Sequence, residues 1–215
     1  MLPAANGRHR KHRFIVIEGV DGVGKTTISE DLAEKLGGTY FRTPTPSLEE
    51  FKRPSSTGYA ITIRQYVDQF AHNSPRTRFA FYLFCIIEAT NQIENFLETS
   101  DVVCDRFIAS TLAYHRVLDP ELASVNVDWA VVLQPDLQIL LELKDKDEHA
   151  RRLRSRMPCS DKFLEENIEF LEAVKREFRK LGLYEIDTTG KPKEMITNEI
   201  VEYLCDEERV KKQGF

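Results

Sequence analysis

The chain has 215 residues, 41% hydrophobic and 30% charged, which is enough for one hydrophobic core but too short for two ordinary domains. Its formal net charge of −5 disfavours a nucleic-acid-binding surface, because such surfaces depend on clustered Lys and Arg. No apolar stretch approaches the roughly 18 residues that cross a bilayer, and the four cysteines show neither metal-ligand spacing nor a disulfide framework. We therefore expect a cytoplasmic protein that binds neither nucleic acid nor a membrane.

Short apolar runs alternate with helical patterns along the chain. Strands are predicted at 14–17, 39–41, 102–104, 137–143 and 184–186, and helices at 26–36, 61–70, 76–97, 107–117, 126–133, 147–156, 161–180 and 193–204. Residues 43–57 are rich in Pro and Ser, which predicts a loop with at most one helical turn at 48–51. The alternation predicts a doubly wound α/β fold with a parallel sheet covered on both faces.

One domain is predicted for residues 14–205, between two polar ends. Residues 1–13 end in the basic run RHRKHR and are expected to form a disordered, solvated tail. A fragment of an organelle presequence and a nucleic-acid arm are alternatives for this run. Residues 206–215 are expected to form a frayed polar tail.

A phosphate-binding motif lies between the first strand and the first helix. Residues 19–26 read GVDGVGKT and match G-x-x-x-x-G-K-[ST] in full. In this motif the glycines let backbone N–H groups face the phosphates, Lys25 reaches the β and γ oxygens, and the Thr26 hydroxyl ligates magnesium. We predict ATP contacts from Gly19, Val20, Asp21, Gly22, Val23, Gly24, Lys25, Thr26 and Thr27.

An acidic and a basic residue, Asp105 and Arg106, directly follow the strand predicted at 102–104. A carboxylate at the end of a parallel strand beside a P-loop can hold Mg²⁺ together with Thr26. A neighbouring guanidinium can bind an acceptor phosphate through two parallel hydrogen bonds. A surface ion pair is the alternative interpretation.

Four arginines, at 151, 152, 154 and 156, precede Pro158 and the pair Asp161-Lys162. On its own, this run would suit a solvated helix face. Beside a P-loop, it predicts a lid at about 151–162 that closes over ATP and brings a cation to the transferring phosphoryl group.

Taken together, these segments resemble the thymidylate kinases, a family of P-loop nucleoside monophosphate kinases. The matching stretches are FIVIEGVDGVGKTT, DRFIASTLAYH, QPDLQILLELK, the arginine-rich lid with its long helix, and EIDTTGKPKEMITNEIVEYL. They extend from Phe14 to about Leu204, nearly the whole chain. The resemblance implies a three-layer P-loop NTPase fold with a five-stranded parallel sheet, ATP and Mg²⁺ as cofactors, conversion of dTMP to dTDP, and a homodimer.

The resemblance also assigns roles to individual residues. It implies that Asp21 helps to place the acceptor and that Phe84 stacks on the base. Gly22 stands where some members carry an arginine, and in members with glycine there the catalytic cation comes from the lid. Arg42 and Arg106 are assigned to the acceptor phosphate, Tyr114 to the acceptor site, and Arg154, Arg156 or Lys162 to the lid cation.

The chain departs from the family pattern in two places. After the second strand it reads RTPTP, without the family's acidic residue, and Glu88 stands where the family has a base-contacting arginine. An ionised carboxylate only accepts hydrogen bonds, so Glu88 would favour an amino-bearing base such as cytosine or adenine over thymine. An ungapped alignment would instead place Phe81 on the base and Cys85 at the arginine position.

Three rival functions share parts of this pattern. A nucleoside kinase would use a carboxylate base for a neutral hydroxyl, and the acid missing near Thr43 disfavours it, although Glu49 or Glu50 could serve. A GTPase would need an N-K-x-D segment, which the sequence lacks. A P-loop protein that binds ATP without turnover is the third.

Overall fold

The apolar run at the start of the domain forms the central strand of a sheet. The computed structural model describes residues 10–45, 52–54, 60–62, 67, 74–155 and 168–212. Its strands are β1 (Phe14–Glu18), β2 (Thr39–Arg42), β3 (Lys52–Pro54), β4 (Ala60–Thr62), β5 (Val102–Asp105), β6 (Leu137–Glu142) and β7 (Tyr184–Asp187). Its helices are α1 (Lys25–Leu36), α2 (Pro75–Phe96), α3 (Ile108–Leu118), α4 (Lys146–Arg154), α5 (Ile168–Arg179) and α6 (Lys193–Lys212).

The main sheet has five parallel strands in the order β2-β5-β1-β6-β7. Its register aligns the strand ends, with Ile17 opposite Asp105 on one side and Ile139 on the other, and Arg42 opposite Asp105. Parallel strands end at the same edge of a sheet, and ligands bind there in open α/β folds. The loop after β1 and the residues after β5 are therefore neighbours at the binding edge.

Two groups of helices cover the sheet. Helix α1 packs against α6, while α3 packs against both α2 and α5. Every residue of β1 is buried, the four apolar residues as a central strand requires and Glu18 at its end as well, and Phe14 meets Phe107 edge to face at 5.1 Å between ring centroids. Among the described residues, no helix is both long enough and apolar enough to cross a membrane.

The predicted α/β class and the five-stranded parallel sheet are confirmed. The end of α1 also agrees with its prediction. Gly37 adopts a left-handed φ of 61°, and its N–H donates to carbonyls in the last turn of the helix. Helix α6 runs past its predicted end at Leu204 to Lys212, through residues that contain neither Gly nor Pro.

Two predicted helices are wrong, in whole or in part. Ile61 and Thr62 open the helix predicted at 61–70, yet with Ala60 they form β4, which pairs antiparallel with β3. Both are β-branched residues, which suit a strand. The helix predicted at 126–133 is replaced by a 3₁₀ turn at Trp129–Val131, whose start is fixed by the Asp128 side chain accepting from the Ala130 N–H. The turn predicted at 48–51 lies outside the described residues.

The last residues of the predicted basic tail contact the domain. Arg10 donates to the Gln134 carbonyl at 2.8 Å and pairs with Asp136, while Arg13 donates to Asp101 at 2.8 Å. Residues 1–9 lie outside the described part of the chain. The domain boundaries stay a prediction.

Candidate active site

The phosphate loop occupies the turn between β1 and α1. Gly24 lies at the helix start with a φ of 101°, which an L side chain rarely adopts, so the motif's glycine is required by the backbone. Val20 and Val23 are buried and anchor the loop to the core, whereas Thr27 is exposed on the first turn of α1. The helix therefore directs its N-terminal N–H groups towards the loop, which suits an anion.

Lys25 lies under this loop and is 4% exposed. Its ammonium donates to the Val20 carbonyl at 2.8 Å and lies 3.9 Å from the Asp21 carboxylate. The positive charge is thus held among the loop carbonyls, within the turn predicted to bind phosphates.

The residues predicted to hold magnesium are in contact, Thr26 in the first turn of α1 and Asp105 at the end of β5. The Thr26 hydroxyl donates to Asp105 Oδ2 at 2.5 Å. Asp105 Oδ1 is buried and, within the described part of the chain, accepts no hydrogen bond. A buried carboxylate oxygen without a donor, beside a hydroxyl, is a donor set that fits Mg²⁺, which prefers oxygen ligands.

Asp21 joins the phosphate loop to the residues after β5. One carboxylate oxygen accepts from Arg106 at 2.5 Å and the other from the Tyr114 hydroxyl at 3.0 Å. The Arg106 guanidinium also lies 5.3 Å from the centre of the Tyr114 ring. The structure thus brings together three residues that the sequence assigned to the acceptor.

Asp21, Arg106 and Tyr114 set one another's ionisation through their charges and hydrogen bonds. Burial alone would raise the pKa of Asp21, but the cations of Arg106 and Lys25 and the hydrogen bonds from Arg106 and Tyr114 outweigh it and lower that pKa below its ordinary value. Burial, reinforced by Asp21, raises the pKa of Tyr114. Asp21 is therefore a carboxylate at neutral pH, and Tyr114 is a neutral donor.

Glu18 supports the site, although the sequence analysis did not identify it. It is fully buried, and its carboxyl group accepts from the Phe107 N–H at 2.9 Å, the Ser110 N–H at 3.2 Å and the Ser110 hydroxyl. Apolar Phe107 cannot cap α3 with its side chain, so Glu18 satisfies the first N–H groups of that helix. Burial raises the pKa of Glu18 despite these hydrogen bonds and the nearby Arg106.

This contact explains an unusual backbone conformation. Arg106 has a φ of 68°, the only positive φ among the described residues other than glycine. Left-handed backbone costs energy for a residue with a side chain and persists where the surroundings hold it. Glu18 fixes the peptide on one side of Arg106, and the Ile17 carbonyl accepts from the Arg106 N–H at 3.0 Å. An acidic residue that closes an all-apolar strand was the signal in the sequence.

The segment after β2 connects the sheet edge to α2. Thr43 donates its N–H to the Asp105 carbonyl at 3.2 Å and its hydroxyl to the Arg106 carbonyl at 2.8 Å. Thr45 donates to Glu88 Oε2 at 3.2 Å, and Gln92 donates to the other oxygen of Glu88. Half-buried Arg42 lies at the same edge. Glu88 is therefore placed beside the strand ends that carry Asp105 and Arg106.

The aromatic residues of α2 divide into buried and exposed ones. Phe79 is 6% exposed and Cys85 is 1% exposed, so both belong to the core. Phe81 packs edge to face on Tyr82, with 5.5 Å between ring centroids. Phe84 is 56% exposed, which leaves its ring available to a ligand.

The predicted lid at 151–162 begins inside α4. Asp145 caps this helix by accepting from the N–H groups of Asp147 and Glu148. Glu148 pairs with Arg152 at 2.5 Å and with Arg151 at 3.9 Å, whereas Arg154 is exposed at the end of the helix. Arg156 and Lys162 lie outside the described residues.

A histidine on α4 contacts the phosphate loop. Like Glu18, it was not identified by the sequence analysis. His149 is 6% exposed, and its Nε2 donates to the Asp21 carbonyl at 2.6 Å. A Cβ added to Gly22 would lie 3.0 Å from the His149 ring and 3.2 Å from Leu153. Helix α4 therefore occupies the space that a side chain at position 22 would need.

Comparisons with known proteins match most of the chain to one family. The family model described as thymidylate kinase matches residues 17–200. A probable thymidylate kinase of Methanococcus vannielii is 30% identical, over 88% of this chain and 93% of its own. A probable thymidylate kinase of Methanocaldococcus jannaschii is 31% identical, over 89% of this chain and 95% of its own.

Solved structures share the fold at lower identity. The thymidylate kinase of Candida albicans has a TM-score of 0.64 and 18% identity, and the match covers 92% of each chain. A deoxyadenosine kinase of M. mycoides with bound dATP has a TM-score of 0.60 and 18% identity, over 88% of this chain and 99% of its own. The family match extends over most of the chain and contains both the P-loop and the Asp105-Arg106 pair, so the protein belongs to the thymidylate kinase family of nucleoside monophosphate kinases.

Proposed function

We propose that this protein transfers the γ-phosphoryl group of ATP to dTMP and forms dTDP. The observation that carries the proposal is the junction of β1 and β5, where a phosphate loop and an anion-binding arginine are joined through one carboxylate, Asp21. Phosphoryl transfer depends mainly on positioning and charge neutralisation, and this junction supplies both.

On the nucleotide side, the backbone of Gly19–Thr27 surrounds the phosphates and Lys25 neutralises their charge. Thr26 and Asp105 would hold Mg²⁺, in keeping with the buried Asp105 oxygen that accepts no hydrogen bond from the described residues. When bound, Mg²⁺ neutralises phosphate charge and orients the phosphate oxygens. The hydrogen bond between Thr26 and Asp105 fixes the distance between these two ligands.

On the acceptor side, Arg106 and Arg42 bind the phosphate of the monophosphate. Asp21 and Tyr114 hold the Arg106 side chain in one orientation, so little freedom is lost when the acceptor binds. The acceptor phosphate is already ionised near neutral pH, so no residue has to remove a proton from it. The absence of an acid in the sequence RTPTP after β2 is consistent with this chemistry.

The lid supplies the remaining cation. Glycine at position 22 has no charge, and His149 and Leu153 fill the space beside it, so the P-loop cannot present a cation from that position. Arg151 and Arg152 are paired with Glu148. We assign the catalytic cation to Arg154 or Arg156, with Lys162 as the third candidate.

The base is bound on α2. Phe84 is exposed and Glu88 lies at the site edge, whereas Cys85 is buried, which favours the gapped alignment over the one that uses Phe81 and Cys85. Thr45 and Gln92 each donate to one Glu88 oxygen, and an ionised carboxylate can accept further hydrogen bonds but can donate none. A nucleotide with an amino-bearing base is therefore the second candidate acceptor.

A panel of acceptors tests the function. Purified protein is incubated with ATP and Mg²⁺, and ADP release is measured with deoxy and ribo monophosphates of the five bases and with the free nucleosides. The highest kcat/KM for dTMP, lost when EDTA removes Mg²⁺, is expected. A preference for dCMP or dAMP would support the Glu88 alternative, a preference for nucleosides would contradict the proposal, and ATP binding without turnover would indicate a regulator.

The proposal also includes a homodimer in the cytoplasm that binds neither nucleic acid nor membranes. The dimer follows from the family resemblance, and the net charge of −5 disfavours nucleic acid. Light scattering coupled to gel filtration should give about twice the mass of one chain. A monomeric mass would contradict the dimer without affecting the reaction.

A further inference from the structure

We propose that His149 is a positioning residue for phosphoryl transfer, and that it fixes the Asp21–Gly22 peptide so that the phosphate loop and the acceptor arginine keep one relative placement. The inference rests on the proposed function. Its observation is independent, because His149 lies on α4 before the predicted lid at 151–162 and its contact is with a backbone carbonyl.

The geometry of the contact between His149 and Asp21 identifies the protonated nitrogen of the imidazole. The 2.6 Å distance from His149 Nε2 to the Asp21 carbonyl requires a proton on Nε2. Burial lowers the pKa of His149, as does Lys175 on α5, while the Asp21 carbonyl, Glu172 on α5 and the Asp21 carboxylate raise it, and the net shift is downward. The neutral imidazole that donates from Nε2 is thus the form present at neutral pH.

The hydrogen bond from His149 restrains the peptide between Asp21 and Gly22. A carbonyl and the N–H of the next residue belong to one rigid peptide plane, so the orientation of the Asp21 carbonyl also sets the Gly22 N–H. Gly22 has a φ of 87° and can adopt several backbone conformations, so the sequence alone leaves this plane free to rotate. His149 selects one orientation, and the N–H groups of the loop depend on it.

Asp21 also contacts the phosphate-binding residues through its side chain. Its carboxylate holds Arg106 and Tyr114, and it lies 3.9 Å from the Lys25 ammonium. A rotation of the Asp21 peptide would therefore displace Arg106 on the acceptor side and Lys25 on the ATP side at once. His149 acts on the two substrates through one residue and need not contact either of them.

Hydrogen bonding and packing beside Gly22 come from different residues of α4. His149 and Leu153 are four residues apart, so they face the same side of α4 and both cover Gly22. Leu153 contributes apolar contact but no donor. The two residues therefore provide matched variants on one helix, one that tests the donor and one that tests the packing.

The experiment compares His149→Leu, His149→Gln and Leu153→Ala with the wild type. We measure Tm, ADP affinity by calorimetry, and KM and kcat for ATP and dTMP. His149→Leu should lower kcat/KM for both substrates about 10- to 100-fold and weaken ADP binding several-fold. His149→Gln places an amide N–H near the position of Nε2 and should recover most of the loss, while Leu153→Ala should lower Tm with a smaller effect on kcat/KM.

A second comparison tests the route through Asp21. Tyr114→Phe removes the donor to the Asp21 carboxylate, and combined with His149→Leu it should lose less kcat/KM than the product of the two separate losses, because both act on one residue. Wild-type kcat/KM and ADP affinity in His149→Leu would overturn the inference. Equal catalytic losses in His149→Leu and Leu153→Ala would overturn it as well, because packing would then suffice.

The outcomes distinguish this inference from the proposed function. A wild-type enzyme that does not phosphorylate dTMP would contradict the function. In that case the ADP affinities of the wild type, His149→Leu and His149→Gln still decide the role of His149 at the phosphate loop.

Discussion

The phosphate side and the base side of the candidate site are built in different ways. On the phosphate side, residues at the ends of β1 and β5 are fixed by backbone contacts, such as the Arg106 N–H that donates to the Ile17 carbonyl and the Thr43 N–H that donates to the Asp105 carbonyl. On the base side, Phe84 and Glu88 project from one helix, and the side chains of Thr45 and Gln92 restrain Glu88.

This difference separates chemistry from specificity. A change on the phosphate side disturbs the strand ends, the loop and several charges together, because they share hydrogen bonds. A change on the base side alters one side chain on a helix that is held by its buried face. We expect catalysis to depend on the first region and acceptor choice on the second, and variants in each region can break or sharpen this division.

The largest effect is expected for Lys25→Ala. Removing the ammonium from the phosphate loop should lower kcat about 100- to 1,000-fold or more, because the loop loses the positive charge that it holds beside the transferring phosphate. Steady-state ADP release measures this loss, and circular dichroism should show an intact fold. Lys35→Ala at the other end of α1 is the control, because it removes a lysine that bonds Thr197 and Asn198 and should leave kcat unchanged. Full turnover by Lys25→Ala would contradict the assignment of the whole site.

Arg106→Ala should come next. It removes an anion-binding group and should raise the KM for dTMP about 10- to 100-fold with a smaller change in the KM for ATP, since a hydrogen bond to a charged group contributes about 1.5–3 kcal/mol. It also removes the closer of the two cations beside Asp21 and leaves Lys25 at 3.9 Å, so the free energy of unfolding should fall.

Arg179→Ala separates these two consequences of Arg106→Ala. Arg179 donates two hydrogen bonds to buried Glu142, at 2.9 and 3.0 Å, so its loss also leaves a buried carboxylate unpaired. It should destabilise the protein without raising the KM for dTMP. An unchanged KM in Arg106→Ala would refute its contact with the acceptor.

The same division determines how much the sequence could predict. The P-loop, the Asp105-Arg106 pair and the five parallel strands could be predicted, because each depends on a local pattern: a motif between a strand and a helix, or a run of apolar residues. The contact between His149 and Asp21 joins positions 128 residues apart, and no local pattern indicates it. Glu18 gave a weak signal, but its partners on α3 are known only once the strands are paired.

The errors lie where packing overrides local periodicity. The spacing of apolar residues at 126–133 suits a helix, yet Val127, Val132 and Leu133 are buried around a single turn that Asp128 closes. Residues 60–62 form a strand because a partner strand is available at 52–54. Periodicity records which residues are buried, and it cannot show which surface buries them.

Phe84→Ala tests the base side. Its ring is 56% exposed, so its removal should change the free energy of unfolding by less than about 0.5 kcal/mol. Stacking between a base and an aromatic ring contributes about 1–3 kcal/mol, so the KM for dTMP should rise about tenfold. Phe79→Ala, on the same helix but 6% exposed, should instead cost about 3–5 kcal/mol of stability. A normal KM in Phe84→Ala would mean that another surface binds the base.

The smallest and most specific effect is expected for Glu88→Gln. A glutamine at this position can donate an N–H to a thymine carbonyl, which the carboxylate cannot do, so kcat/KM for dTMP relative to dCMP should rise roughly 3- to 10-fold. Thr45 can still donate to the amide oxygen, which keeps the side chain in place. The KM for ATP should not change, because the nucleotide loop has no contact with this helix face in the proposed mechanism. Glu94→Gln, exposed on the same helix, is the control. An unchanged ratio of kcat/KM for dTMP to that for dCMP would show that Glu88 supports Thr45 and does not contact the base. Acceptor choice would then be set by the strand ends, and the division between a phosphate side for catalysis and a base side for specificity would fail.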